Sequence, residues 1–148
     1  MIDIPDNLLG REIDLGEVHV TAEMIEFYRA AIGAPASGPP SGEAPATFCL
    51  ALRRGMQPDL PLPPDTVGLY GGNDMEFRRP IRAGKTYRIS ARLADVYEKS
   101  GRSGTFVVIE REALVREVSG ELAARIIERQ IVRPIPQAAA RLRANGDG

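Results

Sequence analysis

Three side chains in this sequence are the candidates for a catalytic group: His19, Glu43 and Cys49. His19 is the only histidine of the chain and could act as a general base, but no motif surrounds it, so we expect a surface or interface histidine. Glu43 precedes an apolar segment and could act as a base or nucleophile, although an acid at a helix start also favours the dipole alone. Cys49 lies within the apolar segment, which is typical of a core thiol rather than a nucleophile.

The elements that must position these groups are clearest in the C-terminal half. Three consecutive strands are predicted at Tyr87–Val96, Thr105–Val118 and Leu122–Val132, because apolar residues alternate with polar ones or β-branched residues dominate. Short Gly/Ser connections join them, and a parallel crossover would need a dozen residues or more. The sequence therefore predicts a long-stranded antiparallel meander.

Residues 10–54 carry the remaining helices. Gly10–Val20 is predicted as a short strand, and Thr21 as the N-cap of a helix that ends at Gly33 and points Met24, Ile25, Tyr28, Ala31 and Ile32 inward. A loop rich in proline, glycine and serine spans residues 35–45. Ala44–Arg54 is apolar on nearly every side, which predicts a buried helix.

An edge strand is predicted at Met75–Ile81, because Pro80 cannot donate to an interior ladder. One curled antiparallel sheet wrapped around one central apolar helix is the hot-dog architecture, of α+β class. We expect residues 1–135 to form a single hot-dog domain and residues 136–148 a tail, in which Ala138–Arg143 could form a short helix. The C-terminal strands are expected to present an apolar edge to a partner sheet.

Composition excludes several classes of function. The net charge of −1 argues against a nucleic-acid surface, and the absence of an apolar run near 18 residues argues against a membrane span. The N-terminus lacks signal-peptide features, so a cytoplasmic location is expected. The single cysteine excludes an internal disulfide and a cysteine-rich zinc site; no metal or cofactor is expected.

Two phrases in the chain resemble a known family. Residues 73–84 read Asn-Asp-Met-Glu-Phe-Arg-Arg-Pro-Ile-Arg-Ala-Gly, and residues 93–104 read Leu-Ala-Asp-Val-Tyr-Glu-Lys-Ser-Gly-Arg-Ser-Gly. Together they resemble the N-terminal half of the MaoC-like dehydratases, in the branch similar to the dehydratase domain of type I fatty acid synthase. The resemblance covers residues 11–133 and implies a hydratase or dehydratase that acts on enoyl and 3-hydroxyacyl thioesters.

The resemblance also implies a catalytic pair that this chain lacks. Family members carry an Asp and a His in a loop ahead of the central helix, where the pair activates the water that is added or removed. Here Ala34 stands where the Asp would fall, and no histidine follows it. The expectation is therefore a non-catalytic half with no catalytic residue of its own, which needs a MaoC-like partner that keeps the pair.

The ligand, the oligomeric state and the function of the chain each remain open between alternatives. By resemblance, the ligand is an acyl-CoA or acyl carrier protein thioester, and the substrate-binding candidates are Ala46, Thr47, Phe48, Tyr70, Gly71, Gly72 and Asn73. Arg78 and Arg79 could meet a CoA phosphate or form a solvated strand face. Homodimer and heterodimer or heterotetramer remain open. So do two other functions: a non-enzymatic acyl-binding scaffold, and a hot-dog thioesterase that uses Glu43.

Overall fold

Five antiparallel strands form one sheet in the computed structural model, which describes residues 2–34 and 42–136. The strands are β1 (Ile13–His19), β2 (Thr66–Phe77), β3 (Thr86–Gly101), β4 (Gly104–Glu117) and β5 (Leu122–Pro134). They lie in the order β1-β3-β4-β5-β2, and every neighbouring pair is antiparallel. The three predicted C-terminal strands are confirmed as β3, β4 and β5. The prediction that the C-terminal strands present an apolar edge is wrong, because β3, β4 and β5 are interior strands and β1 and β2 are the edges.

The N-terminal helix α1 (Ala22–Ile32) has the predicted caps. The Thr21 hydroxyl accepts a hydrogen bond from the Met24 N–H at 3.2 Å, and Gly33 ends the helix with a left-handed φ of 69°. The inward face differs from the prediction, because Ile32 is exposed and Arg29 is buried. Arg29 donates to the Glu43 carbonyl oxygen at 2.7 Å, so this buried cation ties α1 to the segment before the central helix.

The central helix is shorter and less buried than predicted. It consists of a 3-10 turn, Ala46–Phe48, continued by α2 (Cys49–Leu52). Phe48, Cys49 and Leu52 are buried against the sheet, whereas Ala46 and Ala51 are exposed. The helix is therefore apolar on both sides, but the described part of the chain covers only one of them.

The edge strand β2 begins earlier and ends sooner than the predicted Met75–Ile81. A bulge between Tyr70 and Asn73 lets the ladder with β5 continue through the glycine pair, and Gly72 there has a φ of 107° that favours glycine. Pro80 lies beyond the strand. Its position at the sheet edge agrees with the prediction.

Two apolar clusters fill the inner face, on which the central helix packs. The larger cluster includes Phe48, Cys49 and Tyr87, and the smaller one includes Leu93 and Ile109. This curled antiparallel sheet with one helix on its inner face is the predicted hot-dog fold. No helix among residues 2–34 and 42–136 has the length and apolar character to cross a membrane. The predicted C-terminal helix at residues 138–143 lies outside the described residues.

Candidate functional site

A groove of about 390 Å³ opens where the central helix begins beside the end of β2. Ala44 donates its N–H to the Ile81 carbonyl oxygen at 2.7 Å, and this bond fixes the helix start against the chain that leaves β2. The walls combine residues from these two segments: Glu43, Ala44, Pro45, Ala46, Phe77, Arg78, Arg79, Pro80 and Ile81. The first N–H groups of a helix have no partner within it, so this end of the groove can receive a carbonyl oxygen.

Glu43 is the carboxylate of this groove, and it is already paired. Its Oε1 lies 3.0 Å from the Arg82 guanidinium, and a backbone bridge joins the same two residues. The position agrees with the expectation of an acid just before the central helix. The ion pair with Arg82 holds the carboxylate in place. This pairing would compete with any role of Glu43 as a base or nucleophile.

Arg78 and Arg79 stand at the rim of the groove. Arg78 pairs with Glu76 at 2.7 Å, and Arg79 pairs with Glu121 at 2.5 Å. Both arginine side chains stay about half exposed, at 62% and 47%. They keep donors available to an anionic group at the rim, and exposed pairs of this kind contribute little to stability.

The structure does not join His19 to Glu43. His19 ends β1 on the surface, where its Nδ1 lies 2.9 Å from the Thr86 hydroxyl oxygen. Glu43 contacts Arg29 and Arg82 instead. His19 and Glu43 therefore do not form the hydrogen-bonded pair that is needed to activate a water molecule.

Cys49 is a core thiol. The side chain is fully buried under the sheet, and burial raises its pKa to about 11. Its Sγ lies 4.0 Å from the Met75 sulfur atom on β2. The buried, protonated thiol is a packing group, as the sequence predicted.

Of the binding candidates on the central helix, one lines the groove. Ala46 is exposed and forms part of the wall. Thr47 instead accepts a hydrogen bond from the Tyr28 hydroxyl at 2.7 Å. Phe48 is only 2% exposed and meets the Tyr28 ring edge to face, with ring centroids 5.4 Å apart. Thr47 and Phe48 therefore anchor the helix to α1.

The candidates Tyr70, Gly71, Gly72 and Asn73 lie farther along β2 and do not line the groove. Tyr70 is 60% exposed, and a Cβ on Gly71 would come within 3.1 Å of the Arg129 carbonyl oxygen. The bulge therefore explains why glycine occupies positions 71 and 72. The Asn73 Oδ1 atom is buried without a hydrogen-bond partner among the described residues.

A polar belt interrupts the inner face under the end of the central helix. Arg53 pairs with the buried Glu128, and the buried Arg111 donates to the Pro58 carbonyl oxygen at 2.8 Å and to Gln130 at 2.9 Å. Burial lowers the pKa of Arg111. Only about 10 Å³ of cavity remains here, the space of one water molecule. In the described part of the chain, these charged side chains lie between the two apolar clusters and interrupt the apolar surface beneath the helix.

The sequence analysis missed the groove residues at the end of β2 and just after it. Phe77, Pro80 and Ile81 form one wall, yet they were predicted only as strand residues. Their signal is the Phe-Arg-Arg-Pro-Ile run, which carries part of the family resemblance. No cluster of His, Cys, Asp and Glu suited to a metal ion occurs in the described ranges.

The fold and the groove define a hot-dog domain of the dehydratase type. The family described as "FAS1-like, dehydratase domain region" matches residues 7–126, and the chain belongs to this family. The resemblance to MaoC-like dehydratases is thereby confirmed. No curated protein matches the chain significantly.

Solved structures with the same fold are distant in sequence. A chain of the C-terminally truncated HadBC (3R-hydroxyacyl-ACP dehydratase) complex from Mycobacterium tuberculosis is 16% identical, with a TM-score of 0.69 over 86% of this chain and 99% of that chain. A chain of the ChsH1-ChsH2 complex from the same organism is 18% identical, with a TM-score of 0.60 over 82% of each chain. A MaoC-like dehydratase is 20% identical, with a TM-score of 0.67 over 88% of this chain but only 43% of that chain.

Proposed function

We propose that this chain is the non-catalytic subunit of an acyl-thioester hydratase or dehydratase, and that a second hot-dog chain supplies the acid and base. The observation that carries the proposal is the separation of the chain's only histidine from the groove carboxylate. His19 contacts Thr86 and Glu43 contacts Arg82. Addition of water to an enoyl thioester needs a positioned base and a proton donor, and these two residues do not form such a pair.

The groove is the part of this chain that meets the substrate. Its apolar wall of Pro45, Phe77 and Ile81 suits a thioester arm, and its rim arginines suit the phosphates of CoA or of a carrier-protein prosthetic group. The polar belt at Arg53 and Glu128 stops an acyl chain from passing beneath the helix. The acyl chain then lies between this chain and its partner.

The comparisons support a partner. The HadBC and ChsH1-ChsH2 structures are complexes, and the MaoC-like dehydratase is more than twice as long as the matched part. In the first two structures a second chain accompanies a chain of this fold, and in the third more than half of the chain lies outside the matched part. The same arrangement in this protein would supply the missing pair.

The proposal is tested by reconstitution. This chain is mixed with a MaoC-like chain from the same genome that carries the Asp and His, and hydration of crotonyl-CoA is followed. We expect turnover by the complex that exceeds turnover by either chain alone. Complexes that form without any gain in hydration would contradict the proposal and favour a binding scaffold.

Two substitutions of exposed alanines connect that activity to the groove. Ala46→Phe fills the groove, whereas Ala30→Phe adds the same bulk on α1, away from the groove. We expect the first variant to raise KM at least tenfold and the second to leave KM near the wild-type value. Equal effects of both variants would show that the groove does not hold the substrate.

Glu43 lines the groove, and this favours one second candidate, thioester hydrolysis. The Glu43→Gln variant separates the two functions. Loss of CoA release from an acyl-CoA on this substitution would support a thioesterase. Under the hydratase proposal, the complex retains hydration in the variant, since Glu43 donates no proton and accepts none.

A further inference from the structure

A second groove, of about 600 Å³, opens on the outer face of the sheet, which is the face opposite the central helix. Val132 on β5 is buried in the smaller apolar cluster, so its neighbour Ile131 points to the outer face. Leu69 on β2 is the register partner of Ile131 and shares that face. Together with Phe106 and Ile135, these two residues form the apolar walls of the groove.

The described residues leave these apolar walls partly open to solvent. Leu69 is 40% exposed, and the other three apolar wall residues are only partly buried. Farther along the same face, side chains are joined in ion pairs such as Arg129–Glu110. A single exposed apolar side chain is ordinary, but several that line one concave surface are typical of a contact site. The outer groove therefore calls for an apolar occupant.

The chain itself runs into the outer groove after β5. This strand ends at Pro134, and the Ile135 N–H then donates to the Asp65 carbonyl oxygen at 2.8 Å. Ile135 and Pro136 both form part of the groove wall. Neither Pro134 nor Pro136 has an N–H to donate, so the chain cannot continue as a ladder strand. Residues 137–148, the tail, therefore start from a point inside the groove.

The sequence of the tail suits an apolar groove. Residues 137–144 read Gln-Ala-Ala-Ala-Arg-Leu-Arg-Ala, all of them strong helix formers, and Gly146 follows as a helix stop. On a helix, Ala138, Ala139 and Leu142 share one face, because they are three and four positions apart. A helix this short is marginal in water by itself, so it needs an apolar surface on which to pack.

We propose that residues 137–144 form a helix that packs into the outer groove of the same chain, with Leu142 as its apolar anchor. Such a helix is about 12 Å long, and it follows directly from Pro136 in the groove wall. The short connection favours the chain's own tail over the tail of a second copy, because a tethered segment has a high effective concentration. This inference does not depend on the proposed function.

The reactivity of an introduced thiol tests this packing. Ser103→Cys places the thiol in the groove wall, at the exposed turn between β3 and β4, and Ser119→Cys places a control thiol at the exposed turn at the opposite end of β4. A disulfide reagent labels each in the full chain and in a chain without residues 137–148. We expect the deletion to speed labelling of Ser103→Cys by about tenfold or more and to leave labelling of Ser119→Cys unchanged. The native Cys49 is buried, so it reacts slowly in both chains.

Two single substitutions, each combined with Ser103→Cys, keep the tail at full length. Leu142→Asp places a charge on the apolar face of the proposed helix, and Ala140→Asp places the same charge on the opposite face. We expect Leu142→Asp to raise the labelling rate to that of the shortened chain, and Ala140→Asp to keep the rate of the full chain. Circular dichroism and urea unfolding establish that each variant is folded.

Three results would overturn the inference. The first is equal labelling of Ser103→Cys in the full and the shortened chain. The second is an equal effect of Leu142→Asp and Ala140→Asp, since the tail would then not bind by its apolar face. The third is protection of Ser103→Cys that is lost when the chain is diluted 100-fold, which would assign the groove to the tail of a second copy. Labelling is measured without substrate or partner, so failure of the hydration test would leave these outcomes unchanged.

Discussion

The substitution Glu112→Gln tests whether the ion pairs on the face of the sheet opposite the central helix hold the sheet together. Glu112 is only 2% exposed, and its two oxygens accept from Arg92 at 2.9 Å and from Arg125 at 2.8 and 2.6 Å. Hydrogen bonds to charged groups contribute about 1.5–3 kcal/mol each. Both arginine side chains are about two-fifths exposed, at 41% and 38%, so solvent screens part of this energy.

We expect Glu112→Gln to lower the free energy of unfolding by about 2 kcal/mol, below the roughly 3–5 kcal/mol of a fully buried pair. The matched control is Glu110→Gln on the same strand. Glu110 is 19% exposed and meets one arginine, Arg129, which Asp74 also holds. We expect Glu110→Gln to lower the free energy of unfolding by about 0.5–1 kcal/mol.

Urea unfolding followed by far-UV circular dichroism measures both variants. With an m-value of about 2 kcal/mol/M, Glu112→Gln should move the midpoint down by about 1 M. Equal costs for the two variants, or a cost below about 0.5 kcal/mol for Glu112→Gln, would show that solvent screens these charges and that they contribute little to the stability of the sheet.

Four other expectations follow from three residues: Cys49, Thr21 and Glu12. Raising the pKa of Cys49 from 9.0 to about 11 lowers its thiolate fraction near pH 8 about 100-fold, so a disulfide reagent should label the native chain far more slowly than the urea-unfolded chain. Because the folded pKa is the higher one, the stability from this thiol is present below pH 9 and is lost as the pH rises toward 11, which alkaline unfolding should show. Thr21→Ala removes the helix cap and should cost about 1 kcal/mol in urea unfolding, with Thr21→Ser near wild type. Hydrogen bonds from Ser90 and Arg116 lower the pKa of Glu12, so its contribution is present above pH 4.5 and is lost at lower pH; acid titration of Glu12→Gln should lack that loss.

The sheet was predictable because its strands are long and periodic. Residues such as Ile89, Ala91 and Leu93 alternate with polar side chains, and short glycine turns then fix antiparallel pairing. The extent of β2 was not predictable, because a glycine pair in sequence indicates a turn as readily as a bulge. The register that places Arg92 beside Glu112 likewise depends on the ladder and not on local sequence.

The site was predictable only in part. The apolar run at residues 46–52 predicted a helix, but such a run does not tell which side is left for a partner. The groove exists because the Ala44 N–H bonds to the Ile81 carbonyl oxygen, a contact between segments 37 positions apart. The polar belt was missed for the same reason: Arg53, Arg111 and Glu128 come from three separate elements and meet only in the folded chain.

The most direct test of the central claim is hydration of crotonyl-CoA by the purified chain alone. The account predicts a rate equal to the uncatalysed rate, because neither His19 nor Glu43 is placed to activate water. Turnover that the isolated chain sustains, and that the His19→Ala and Glu43→Gln variants abolish, would contradict it.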